Sequence, residues 1–405
     1  MTQSKRRARG FTLVELMVAM VAGLFVSIGV FTLAKHSSAF SMRQSRIADA
    51  TMQSVVGFER LKADISRAGF LSSPNLSADQ ALCGDEGAPL YPPALKSLAS
   101  VMIEESPNAS NEMTVNGLTP KRIVLAGSYA SADQFPARNI IDGPPVQIFL
   151  VPNSLGMVNI GYQPDQAAAT LSRVFATGRA IRIVDDVGRI QFGQIAGVTG
   201  GANPSITLDA SPPLEFRSDN SLQCGIRGHG KNLVNIVNIV RYDVRDLSGD
   251  AAFAHMYAGG PSYEASRREL VREELDLEGD PLPGTLELIA EYAVDLGFSL
   301  WAADNPNTAM IRVRDDDVLD YAGDTNGTGS TATPQLIRAV HTWLSVRSQE
   351  ADRNSGLTSV VSSAPGPTLM RISMHPTDSD LPPFARVRTL QSTIPLTNQA
   401  RATWR

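Results

Sequence analysis

The run Phe11–Ala34 is apolar except for Thr12, Glu15, Ser27, Thr32 and small residues, and it follows a stretch that holds Lys5, Arg6, Arg7 and Arg9 and no acid. As a helix rising about 1.5 Å per residue it extends about 36 Å, enough to cross a hydrocarbon core of about 30 Å. The Lys and Arg excess before it places residues 1–10 in the cytoplasm and everything after the helix outside. A cleavable secretory signal shares the basic start. Three features count against it: the run is longer than a usual signal core, it begins abruptly after Gly10, and it contains a carboxylate at Glu15. An acid in a membrane helix costs a few kcal/mol and marks a functional site with an expected partner, unless Glu15, close to the start of the run, reaches the headgroup region. In a lone anchor that acid has no evident partner.

Helical patterning continues past the apolar run. Ile47, Val55, Phe58, Leu61, Ile65 and Ala68 fall on one helical face with Met52 and Val56 beside it, while Arg46, Asp49, Glu59, Arg60, Lys62 and Asp64 lie largely elsewhere. Gly69 and then Pro74 form a helix stop. Unbroken, this helix is about 90 Å long. The alternative is a membrane helix and a separate amphipathic one, joined near Lys35–Ser41. The chain therefore divides into residues 1–10, a membrane half of the helix at 11–34, an amphipathic half at 35–70, and a body at 71–405.

The body reads as strands and turns. Strands are expected at Arg122–Ala126, Val146–Val151, Ala180–Val184, Arg189–Ile195, Leu233–Val244, Asp295–Trp301, Leu336–Val346, Leu369–Met374 and Arg386–Leu396, most of them bounded by Gly, Pro, Asn or Asp. Arg268–Asp276 is ambiguous. As a helix it sets like charges against each other at i,i+4, which favours a strand. Pro395 should place the last strand at an edge or bulge. The expected class is α+β: one long N-terminal helix packed on a mostly antiparallel β-sheet body. The net charge of -5 and the basic N-terminus together make the body acidic, which argues against a nucleic-acid partner.

The stretch Arg9-Gly10-Phe11-Thr12-Leu13-Val14-Glu15-Leu16-Met17-Val18-Ala19 resembles the class III leader of type IV pilins and pseudopilins. The resemblance implies cleavage by a prepilin peptidase after Gly10, N-methylation of Phe11, and Glu15 at the fifth mature position. It also implies a partner for Glu15, the terminal amine of a neighbouring subunit, since a desolvated charge is tolerated when paired. The last third is similar in its order of elements to PilW-type minor pilins, which are related to J-type minor pseudopilins, through Arg268–Leu275, Leu288–Leu296, Ile337–Ser348 and Arg386–Asn398. Residues 75–265 match no pattern of that group and would be an enlarged or inserted subregion. The implied protein is no enzyme but a minor pilin that helps prime a type IV pilus near its tip. It would serve twitching motility, and its partners would be other minor pilins, the major pilin, the inner-membrane assembly platform and membrane lipid. The chain would be single-pass in the inner membrane with its body in the periplasm, and later in the pilus at the cell surface. Two rival readings are a minor pseudopilin of a type II secretion or DNA-uptake machine and, from another class, a membrane-anchored periplasmic enzyme or ligand-binding domain.

Other signals are weaker. Cys83 and Cys224 are the only two thiols. In an oxidising space they form either one bridge closing a long loop or two unpaired apolar fillers. Gly225–Asn232 has a phosphate-loop frame but ends in Asn232 rather than Ser or Thr, and a strand pattern follows it. Asp324, Asn326 and Thr328 keep an alternate spacing suited to Ca²⁺, but the EF-hand register is broken, so no cofactor is expected. The five histidines show no metal-ligand spacing, and Trp301, Trp343 and Trp404 are expected in core or edge packing.

Overall fold

A computed structural model describes residues 12–79, 81–82, 98–110, 113–114, 116–164, 167–217, 225–257, 267–303, 310–314, 317–322, 332–349, 371–373 and 384–399. Helix α1 runs Leu13–Arg67 and passes through residues 35–41 without a break. It ends at Gly69, whose φ of +74° is a conformation that a residue without Cβ adopts freely, and the Gly69 N–H donates to the Ala126 carbonyl at 2.8 Å.

Over residues 54–68 the buried positions are Ser54, Gly57, Phe58, Leu61, Asp64, Ile65 and Ala68, a spacing of three and four that defines one face. This face is displaced from the expected one. Met52, Val55 and Val56 are exposed, and Asp64, expected outside, is 3% exposed. The cause is a close approach. A Cβ added at Gly57 would lie 2.2 Å from the Ile289 carbonyl oxygen, so the contacting side of the helix takes small residues and leaves the valines on its flanks. The side chain of Ile47 lies outside the described residues.

The body is mostly antiparallel sheet. Its strands are β1 Val101–Glu105, β2 Lys121–Gly127, β3 Phe135–Ile141, β4 Gln147–Leu150, β5 Ala180–Val184, β6 Ile190–Thr199, β7 Ser205–Leu208, β8 His229–Arg245, β9 Glu269–Leu275, β10 Glu287–Ala290, β11 Ala293–Ala302, β12 Ile311–Arg312, β13 Ile337–Arg347, β14 Arg371–Ser373 and β15 Phe384–Pro395. Short helices α2 Leu155–Asn159 and α3 Ala167–Val174 precede β5, and α4 Val318–Ala322 precedes β13.

Strand β8 organises the larger sheet because its two halves have different neighbours. Its first half pairs with β3 on one side and β5 on the other, and the path β3-β4-β7-β6-β5 returns to it. Six strands thus close into a barrel. Phe135 and Ala137, Ile148 and Leu150, Ile181 and Ile183, Ile206 and Leu208, and Val234 and Ile236 are all buried in one apolar cluster, the period-two set that fills a small barrel. The second half of β8 pairs instead with β2 and β9, extending to β1 and β10.

A separate sheet has the order β12-β11-β13-β15-β14. Phe58, Leu61, Ile65 and Ala68 of α1 share one core cluster with Ile123 and Leu125 of β2, Tyr242 of β8, and Leu296, Phe298, Val340 and Leu344 of β11 and β13. The ambiguous segment is strand β9. Pro395 is the last residue of β15, where β13 alone pairs with it among the described residues, so the missing donor falls at an edge. Strands β1, β3, β7, β10 and β12 are not among the expected ones. β3 contains Pro136, which weakens a strand pattern, and the others are short.

Candidate functional site

The run Leu13–Ser38 is long and apolar enough to cross a membrane, and Leu13, Val14, Met17, Leu24, Phe25 and Phe31 on it are all exposed. The two hydroxyls in its middle, Ser27 and Thr32, are satisfied within the helix. The Ser27 hydroxyl donates to the Gly23 carbonyl at 2.8 Å, and that of Thr32 to the carbonyls of Ile28 and Gly29 at 3.0 and 2.9 Å. Such back-bonding is what a hydrocarbon environment requires of a hydroxyl.

At the start of α1, Glu15 Oε2 accepts hydrogen bonds from the Thr12 backbone N–H and the Thr12 hydroxyl, each at 3.0 Å. The Thr12 Oγ1 in turn accepts from the Glu15 N–H at 3.2 Å. This reciprocal arrangement is a capping box, with the acid at the third helical position where the helix dipole also favours a negative charge. It corrects the expectation that Glu15 has no partner within its own chain. The signal was present as Thr12-x-x-Glu15, a capping-box spacing that is easily passed over when the run is read for membrane length alone.

The prokaryotic N-terminal methylation motif matches residues 5–31. It indicates a type IV pilin-like precursor, with partners in a pilus system generally, and the match spans both Glu15 and the apolar run. Searches of curated proteins and of solved structures returned no match to this chain. Residues 5–11 of the motif, with the expected processing residues Gly10 and Phe11, lie outside the described residues, as do Cys83, Cys224, Asp324, Asn326, Thr328 and Trp404. Among the described residues no group of His, Cys, Asp and Glu is placed to hold a metal. The Gly225–Asn232 frame runs into β8, and Asn232 donates to the Arg227 carbonyl.

The root of α1 carries a polar centre that sequence reasoning missed. Asp64 Oδ2 accepts from Arg272 Nε of β9 and from the Tyr242 hydroxyl of β8, both at 2.8 Å. The Tyr129 hydroxyl donates to the Asp64 carbonyl at 3.0 Å. Arg272 also reaches Glu287 of β10 at 3.5 Å, and Arg60 stands 4.0 Å from both Asp64 and Glu287. Burial and then the charge of Asp64 push both tyrosines well above their ordinary values. Burial lowers Arg272, but the charge and hydrogen bond of Asp64 outweigh it and hold the guanidinium protonated. Periodicity could not mark Asp64 as buried, because its partners come from strands far along the chain.

Trp301 and Trp343 flank His341 on one face of the second sheet, with ring centroids 6.1 and 6.2 Å from the imidazole. The Trp343 Nε1–H donates to Asp295 Oδ2 at 2.8 Å, and its ring covers Gly297, where an added Cβ would lie 2.1 Å from the ring. Both tryptophans serve sheet packing.

Proposed function

We propose that this chain is a minor subunit of a type IV pilus, a structural rather than catalytic component. It is inserted in the inner membrane with residues 1–10 in the cytoplasm and its body in the periplasm. A prepilin peptidase cuts after Gly10, Phe11 becomes the N-methylated terminus, and the carboxylate of Glu15 pairs with the terminal amine of a neighbouring subunit. The observation that carries this reading is the contiguous stretch Arg9–Ala19 inside the matched motif, with Glu15 held at the first turn of an apolar helix. A body as large as residues 71–405 is bulky to repeat along a shaft, which favours low copy number, a place near the tip, and a role in priming assembly with other minor pilins. In the oxidising periplasm Cys83 and Cys224 form one bridge.

Glu15→Leu tests the pairing. The expected result is a loss of most of the protein from sheared pili and a fall in pilus number, with the membrane pool retained. Unchanged pilus number and unchanged recovery in sheared pili contradict the reading. Deletion of the gene separates the machines that share this N-terminus: loss of twitching with normal exoprotein secretion places the subunit in a pilus, and the reverse phenotype places it in a secretion pseudopilus.

A further inference from the structure

The capping box assigns Thr12 a role of its own, and this inference rests on the reading of Glu15 as an assembly residue. We propose that Thr12 is a positioning residue that occupies Glu15 before assembly, a placeholder for the amine of the neighbouring subunit. A carboxylate carried into the membrane without a donor is costly. Here two donors of one residue, the Thr12 N–H and hydroxyl, converge on Oε2. The other carboxylate oxygen, Oε1, accepts no hydrogen bond among the described residues, and Glu15 is exposed. An incoming amine can therefore engage Oε1 while Oε2 is still held, so no step leaves the acid bare. Ser27 and Thr32 follow the same rule, each satisfied by its own helix, which makes the run self-sufficient as a single subunit in lipid. Processing after Gly10 leaves Thr12 as the second residue of the mature chain, so its N–H and hydroxyl both survive the cut.

Thr12→Val removes the hydroxyl and keeps the shape, while Thr12→Ser keeps the hydroxyl. In the full chain reconstituted in phospholipid bilayers, hydrogen exchange at the Glu15 and Leu16 amides should be about fivefold faster in Thr12→Val and near wild type in Thr12→Ser, the size expected for loss of one cap. In cells lacking both the prepilin peptidase and the assembly platform, the membrane half-life of Thr12→Val should fall severalfold and that of Thr12→Ser should not. In assembly-competent cells, the fraction of the processed Thr12→Val pool that enters sheared pili should be unchanged. Wild-type exchange and half-life in Thr12→Val overturn the proposal, as does a fall in that processed fraction, which would make Thr12 part of the assembled contact itself. The first two readouts need no assembly, so they can fail while Glu15→Leu still blocks incorporation, and they can succeed if it does not.

Discussion

Asp64 sits on a helix face otherwise made of Ser54, Gly57, Phe58, Leu61, Ile65 and Ala68, where an apolar residue would pack at no electrostatic cost. It is held there by two partners at 2.8 Å, and removing one member of such a buried pair costs about 3–5 kcal/mol because the other is left uncompensated. Directional bonds to β8 and β9 specify the rotation of the helix in a way that apolar contact alone does not. A second buried acid behaves differently. Asp295 has no cation at bonding distance among the described residues, and burial pushes it up to about 6, with the Trp343 bond opposing. Its folded-state value is above its ordinary one, so its contribution to stability is full below about pH 4 and is lost as pH rises through about 6. Asp295→Asn should therefore abolish this component: thermal unfolding of the variant loses the decline that the wild type shows between about pH 4 and 6, a component of about 3 kcal/mol at most. An identical pH profile in the two proteins contradicts the assignment.

At the scale of elements, the seat of α1 depends on one glycine. The Gly57 Cα faces the Ile289 carbonyl of β10 so closely that a Cβ there would lie 2.2 Å from a backbone oxygen, which cannot rotate away. Gly57→Ala should destabilise the body by about 1–3 kcal/mol, read as a lower Tm and faster hydrogen exchange over residues 54–67. Gly29→Ala on the exposed run, where an added Cβ meets nothing within 4 Å, should leave the Tm of the body unchanged. Strand β9 shows why its residues resisted sequence reading. Arg272, Glu273 and Glu274 are all buried, and each is matched by a side chain from elsewhere in the chain: Asp64 of the helix for Arg272, Arg241 and Arg245 of β8 for Glu273, and Arg179, just before β5, for Glu274. Read alone, a run of charges looks solvated. Only the pairing of β8 with β9 turns it into core.

For the whole molecule, local features were legible and non-local ones were not. The apolar run, the stop at Gly69 and the strands β5, β8, β11 and β13 follow from composition and period, so the α+β class with its antiparallel body was readable from residues alone. The closure of six strands into a barrel was not. It depends on β8 changing partners halfway along, and the run from Leu233 to Val244, apolar pairs separated by Asn235, Asn238 and Arg241, carries no mark of that change. At the site, Glu15 stood out because a charge in an apolar run is conspicuous, whereas Thr12, small and tolerated in any helix, did not. The shifted face of α1 has the same origin, since Ser54 and Gly57 look unremarkable until a strand carbonyl is placed against them.

The central claim is that the N-terminus is a processed pilin-like terminus, and mass spectrometry of the N-terminal peptide from the membrane-associated protein tests it most directly. The account predicts a peptide that begins at N-methylated Phe11. A peptide that begins at Met1 or Thr2 would contradict it, leaving Glu15 capped by Thr12 in a permanent anchor with no neighbour to receive.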